Sequence, residues 1–185
     1  MAGMKGVVFT EFLEMVEQRF SLRTADHLIQ SADLPSGGVY TSVGTYAPEE
    51  MVRLVSELSR TAGEPVPVLL RDFGKHLFHR FAQTMPQFFE DQSSAFDFLK
   101  NVEGYIHVEV RKLYPDAELP TFECEVPAAD ELVMTYRSPR RLSHLAEGLM
   151  LGCAEHFGEH IEIRREDLST GAEEVVRFRL IRSRA

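Results

Sequence analysis

The 185-residue chain has only two cysteines, Cys124 and Cys153. They are too few and too far apart for a disulfide framework, so both are expected to be ordinary buried thiols. No apolar run approaches the roughly 18 to 20 residues that cross a bilayer, and the amino terminus lacks the charged, apolar and small-residue succession of a signal peptide. Positive charge is not in excess either: the net charge is −9, with the acidic residues spread along the chain instead of gathered in a tail. These absences argue against non-specific binding to nucleic acid or to an anionic membrane, and make the cytoplasm the expected location. There is no nucleophile motif, phosphate-binding glycine loop or paired-carboxylate pattern to mark an enzyme.

What is present is a composition 44% apolar and 26% charged with no low-complexity tract, that of a folded protein. Its length suits one domain, or two subdomains sharing a core. From Lys5 to about Phe20, Val8, Phe12, Met15, Val16 and Phe20 recur at helical spacing. A short helix is expected over about 23–32, ended by Pro35-Ser36-Gly37-Gly38. Pro48, with Glu49 and Glu50, suits a first helical turn, because proline needs no amide partner there and carboxylates favour the positive helix end. That helix presents Met51, Leu54, Val55 and Leu58, and the next, about 66–83, presents Leu69, Leu70, Phe73, Leu77, Phe78 and Phe81. Ser94 and Asp97 form a candidate capping box for a helix reaching Tyr114 before Pro115. Its expected stripe is Phe98, Leu99, Val102, Ile106 and Leu113, with His107 one position past Ile106 and Gly104 leaving room beside the imidazole.

Beyond Pro120 the period becomes two. Phe122–Val126 and Glu131–Tyr136 read as strands around the turn 127–130, the start of a meander. Ser138-Pro139 reads as a cap and first turn of a helix through Leu142, Leu145, Leu149, Cys153 and Phe157, closed by Gly158. Ile161–Arg164 and Val175–Ile181 complete an expected four-stranded antiparallel sheet, with Glu173 and Glu174 in a solvated loop. Helices first and strands last is an α+β order.

Three constellations could carry chemistry. Extended backbone before Pro139 puts Tyr136 and Ser138 on one side, with Arg140 on the following turn, so a phenol, a hydroxyl and a guanidinium can converge on a carboxylate or phosphate. Packing for the tyrosine, capping for the serine and solvation for the arginine are the plainer account of the same three residues. His107 is either a polar neighbour of a core stripe or a ligand. Cys153, His156 and His160 have zinc-like spacing, but Gly158 interrupts them and no fourth ligand matches. His76 and His79 lack a matching partner and read as surface or groove residues.

Taken together, Tyr136-x-Ser138-x-Arg140, an upstream His107, Pro120 beyond it, the opening Met4-Lys5-Gly6 and the helix-then-sheet order resemble the H-NOX (haem nitric oxide/oxygen binding) family. The likeness covers essentially the whole chain apart from the extension Met1–Gly3. It implies one haem-binding domain with a helical distal part over about 1–65, a proximal part over about 66–185 that holds the sheet, and haem b between them. By resemblance His107 is the iron ligand, Tyr136, Ser138 and Arg140 hold the propionates, and Pro120 distorts the macrocycle. Val8, Phe12, Phe81, Leu145 and Leu149, with Leu77 a further candidate, line the distal wall or its edge. Oxygen-binding relatives carry a distal tyrosine where this chain has Leu145. The implied ligands are therefore nitric oxide and carbon monoxide, without stable dioxygen binding, unless the adjacent His144 faces the pocket. The implied signal is release of His107 by nitric oxide. It would be passed, since the chain shows no output domain, to a separate protein such as a histidine kinase or a cyclic-di-GMP enzyme. Two readings from other classes are a haem carrier or storage protein and a zinc-dependent enzyme.

Overall fold

A computed structural model describes residues 3–183; Met1 and Ala2 of the amino-terminal extension lie outside them. The chain starts not with a helix at Lys5 but with a short strand, β1 (Met4–Lys5), followed by α1 (Gly6–Arg19) and α2 (Leu22–Ser31). The second helix begins where Ser21 accepts the Thr24 amide at 3.1 Å. Next come β2 (Thr45–Tyr46), paired antiparallel with β1, then α3 (Pro48–Ala62) and α4 (Val66–Thr84). Pro48 opens α3, Glu49 and Glu50 occupy its first turn, and Gly63 closes it at φ +72°. Met51, Leu54, Val55 and Leu58 are all buried, as the spacing predicts. Glu50 does more than favour a helix end: it is 3% exposed and accepts a hydrogen bond from Tyr40 at 2.8 Å.

After a 3-10 turn at Pro86–Phe88, α5 (Ala95–Lys100) starts on the expected cap, where the Ser94 hydroxyl accepts the Asp97 amide at 3.1 Å. Ser93 and Ser94 in turn donate to the Asp97 carboxylate, and with Lys100 they hold its pKa down to about 2. The predicted continuous helix is interrupted: a π-helical turn, Val102–Ile106, separates α5 from α6 (His107–Leu113).

The sheet comprises β3 (Thr121–Ala128), β4 (Glu131–Ser138), β5 (Ile161–Asp167) and β6 (Glu174–Arg182), with α7 (Ser143–His156) between β4 and β5. It is antiparallel throughout, but its order, β3-β4-β6-β5, is not a meander. The strand with the fully buried alternation Val176, Phe178 and Leu180 takes an inner place beside β4, and the charge-rich β5 goes to the edge. Edge position also corrects one cysteine: Cys153 is buried, whereas Cys124 on the outer strand β3 is exposed. The fold is α+β, as expected.

Two apolar clusters meet along α4 and α7. The first contains Phe9, Phe12, Met51, Leu69, Phe73, Leu77 and Leu145, and the second contains Phe78, Phe98, Met134, Tyr136, Met150 and Phe178. Leu149 packs against both. The two helices touch backbone to backbone, because a Cβ on Gly148 would stand 2.2 Å from the Arg71 carbonyl oxygen.

Candidate functional site

His107 is 9% exposed, whereas Ile106, expected in the core stripe, is only half-buried. The π turn explains the exchange. Tyr105 and Ile106 both donate to the Asn101 carbonyl, at 2.9 and 3.1 Å, and the His107 amide reaches back five residues to Val102. One extra residue in the turn shifts the α-helical phase by about 100°. His107 therefore points inward and Leu113, expected inside, is 57% exposed. Such insertions are frequent at functional sites.

Gly104 also departs from expectation. It is exposed, and nothing lies within 4 Å of the position a Cβ would take, so it makes no room for the imidazole. Gly104→Ala is accordingly expected to raise stability by about 0.5 to 1 kcal/mol through helix propensity and lost unfolded-state freedom. Chemical denaturation would measure the gain, and a loss of stability would contradict this account.

The His107 ring is held by a residue the sequence analysis missed. Its Nδ1 lies 3.0 Å from the Glu103 carboxylate, whose same oxygen accepts the Phe122 amide at 3.2 Å. Arg111 pairs with the other Glu103 oxygen at 3.6 Å. Burial lowers the pKa of the imidazole below its ordinary range; the hydrogen bond to Glu103 opposes the shift and Arg111 adds to it. A neutral ring donating Nδ1–H to Glu103 keeps its lone pair on Nε2. The available signal was a carboxylate four residues before a histidine, one helical turn apart.

Phe122 connects His107 to the Tyr-x-Ser-x-Arg segment, with ring centroids 5.9 Å from His107 and 5.7 Å from Tyr136. Tyr136 and Ser138 share the inner face of β4, 2% and 3% exposed. Ser138 caps no helix: its hydroxyl accepts the Arg140 amide at 3.2 Å, and α7 begins only at Ser143. Arg140 accordingly sits in a turn, not on a first helical turn. Arg141 there adopts φ +55°, and the Tyr136 hydroxyl accepts the Leu142 amide at 3.3 Å. The Ser143 amide goes to Glu174 at 3.1 Å, so Glu174 opens β6 and braces α7 instead of lying in a solvated loop.

The Arg140 guanidinium donates to the Gly3 carbonyl at 2.7 Å and pairs with Glu118 at 3.4 Å. Lys5 and Thr45 reach Asp116 at 3.2 and 2.6 Å. These contacts fasten the amino-terminal strand to the segment that ends in Pro120, immediately before β3.

Of the six expected wall residues, Phe12, Leu77 and Leu145 are members of the first apolar cluster, and Val8, Phe81 and Leu149 pack against it. Tyr40 and Tyr46 border the same cluster. The hydroxyl of Tyr40 is engaged by Glu50, and that of Tyr46 accepts the Thr41 amide at 2.8 Å. His144 is held by charged groups: Arg165 reaches its Nε2 at 2.7 Å and Glu147 lies 3.3 Å from its Nδ1. Among the described residues no cluster of three potential ligands could hold a metal ion. Cys153 instead points at the Ala95 carbonyl, and the His156 ring contacts Phe89. His79 pairs with Glu155 at 3.1 Å, while His76 is more enclosed than expected, 3.4 Å from Glu11.

A helical layer ahead of an antiparallel sheet, with a buried histidine near a Tyr-x-Ser-x-Arg strand end, is the arrangement that the resemblance to haem-binding domains implies. The family model described as Haem-NO-binding matches residues 5–165, and the chain belongs to this family, H-NOX. Comparison with curated proteins gave no match. Among solved structures, the unliganded Fe(II) H-NOX protein from K. algicida is 39% identical, covering 98% of each chain with a TM-score of 0.92. An H-NOX protein from S. oneidensis in the Fe(II)NO state is 26% identical, covering 96% of this chain and 99% of that one, with a TM-score of 0.84. The IWP-051-bound H-NOX from Shewanella woodyi in the Fe(II)CO state is 39% identical, covering 97% of this chain and 95% of that one, with a TM-score of 0.81. No helix among the described residues is long and apolar enough to cross a membrane.

Proposed function

We propose that this chain is a cytoplasmic nitric oxide sensor that binds haem b through Nε2 of His107, with Tyr136, Ser138 and Arg140 toward the propionates. The observation that carries this reading is the buried His107 ring with its Nδ1 3.0 Å from the Glu103 carboxylate, which engages one ring nitrogen and leaves Nε2 for a metal. Haem suits the surroundings as well. A porphyrin needs apolar walls, a neutral axial imidazole and hydrogen-bond donors for its carboxylates. The first apolar cluster, His107 and the Tyr136-Arg140 segment are of those three kinds. In this reading the helical part over about 1–65 forms the distal side and residues 66–185 the proximal side, with Pro120 pressing on the cofactor.

Ferrous haem held by His107 would supply an iron that binds nitric oxide or carbon monoxide, and its bond to His107 would weaken when nitric oxide is bound. The protein's part is to convert that loosening into movement. His107 begins α6 directly after the π turn, so freeing its ring releases a short helix whose preceding segment already departs from α geometry. In this reading the shift reaches a separate protein, such as a histidine kinase or a cyclic-di-GMP enzyme.

Leu145 supplies no hydrogen-bond donor, so stable dioxygen binding is not expected. Leu145→Tyr is expected to introduce one, worth about 1.5 to 3 kcal/mol to a polarised ligand, and to slow dioxygen dissociation about 10- to 100-fold. Stopped-flow measurement on the reduced protein checks this. The reading as a whole is tested by absorption spectra of the reduced protein before and after nitric oxide, carbon monoxide and dioxygen. Absence of pigment, or a nitric oxide adduct that retains its histidine, would contradict it.

A further inference from the structure

We propose that Glu103 is a positioning residue for the axial ligand, its carboxylate clamping His107 in the ligating tautomer and setting how readily nitric oxide frees it. This rests on the reading of His107 as the iron ligand. One Glu103 oxygen serves two donors from different elements, the His107 ring at 3.0 Å and the Phe122 backbone amide at 3.2 Å. Glu103 stands in the π turn and Phe122 in β3, so the carboxylate is referenced to the sheet as well as to its own helix. Arg111 pairs with the second oxygen at 3.6 Å and holds it on the side away from the ring.

The consequence follows from ligand chemistry. An imidazole donating Nδ1–H to a carboxylate gains electron density at Nε2 and holds a metal more strongly, and the same bond fixes ring rotation. Glu103 therefore opposes release: it lies one helical turn before His107, inside the π turn that directs the imidazole inward. Phe122 completes the geometry from the other side, its ring 5.9 Å from the imidazole.

The test uses the reduced haem-loaded protein and the variants Glu103→Gln and Glu103→Ala, with His107→Ala alongside. Resonance Raman reports the iron–histidine stretch, and stopped-flow absorption reports the rate at which nitric oxide displaces the histidine. Glu103→Ala is expected to lower the stretching frequency and to speed displacement about 10-fold. Glu103→Gln, which keeps length and an acceptor but not the charge, falls between it and the parent. A frequency and a displacement rate unchanged in both Glu103 variants, while His107→Ala loses the pigment, would overturn the Glu103 assignment alone. Pigment and stretch that survive His107→Ala would overturn the ligand assignment with it. A role of Glu103 limited to folding would lower thermal stability without moving the stretch, and Glu103→Gln, nearly isosteric, keeps that distinction measurable if the alanine variant fails to fold.

Discussion

His107→Gly is expected to abolish haem retention while leaving a folded apoprotein. The two effects separate because the ring's polar contact and its proposed metal bond use different nitrogens. Removing the side chain takes one donor from Glu103, which keeps the Phe122 amide and the Arg111 pair, so the cost to folding is about 1 to 3 kcal/mol. Loss of the proposed iron-binding nitrogen is expected to exceed the 10- to 100-fold fall in affinity that is roughly typical of losing an outer hydrogen-bond partner of a metal ligand. The ratio of haem to protein absorbance after reconstitution measures it. Added imidazole should restore pigment in the glycine variant, since the small ligand can occupy the vacated space. It should not restore signalling, because the iron is then no longer tethered to α6. Hydrogen exchange provides the readout: nitric oxide is expected to increase exchange in α6 of the parent protein and to leave it unchanged in the imidazole-rescued variant. Equal haem retention by parent and variant would sink the ligand assignment.

Helix existence was legible where one period ran undisturbed. The face Met51, Leu54, Val55 and Leu58 was read correctly because Pro48 and Gly63 bracket it with local backbone chemistry. The site was legible in residue type and less so in geometry. His107 and the Tyr136, Ser138, Arg140 triplet stood out as motifs, yet the phase that buries His107 depends on an inserted residue that no periodic template contains. Reading a regular helix put Ile106 and Leu113 inside together, which is right for a spacing of seven and wrong once the imidazole takes the inward direction. The late start of α7 escaped for a similar reason. Ser138-Pro139 is good cap chemistry, but Ser138 instead closes a tight turn onto the Arg140 amide, and the helix start is braced by Glu174, 31 residues further along. Glu103 and Glu174 were both missed because an acidic side chain reads as solvated unless its distant partner is known.

Gly148→Ala is expected to be strongly destabilising although it alters no polar group. On an isolated helix it would gain about 1 kcal/mol of propensity. Here the added carbon would stand 2.2 Å from the Arg71 carbonyl oxygen and 2.8 Å from that residue's Cα and C. Those are backbone atoms in mid-helix, so no rotamer change relieves the overlap and α4 must move away from α7. The same contact is tight from the other side, where a Cβ on Gly74 would lie 2.6 Å from the Gly148 Cα. Overpacking of this kind costs about 1 to 3 kcal/mol and occasionally more. With no route to relief the upper figure applies, about 3 kcal/mol net, which lowers Tm by about 6 to 12 °C for a domain of this size. Gly171→Ala, with nothing within 4 Å of its Cβ position, is the control and should leave Tm within about 2 °C. The displacement has a second consequence, because α4 carries Leu77 and Phe81 while α7 carries Leu145 and Leu149. Separating the helices opens the first apolar cluster, in which these four residues pack with Val8 and Phe12 and which is the proposed haem wall. Haem dissociation from Gly148→Ala, followed by transfer to an apo-globin trap, should therefore be faster than from the parent in conditions where both remain folded. A variant as stable as the parent would mean that the two helices do not approach as closely as their glycines allow.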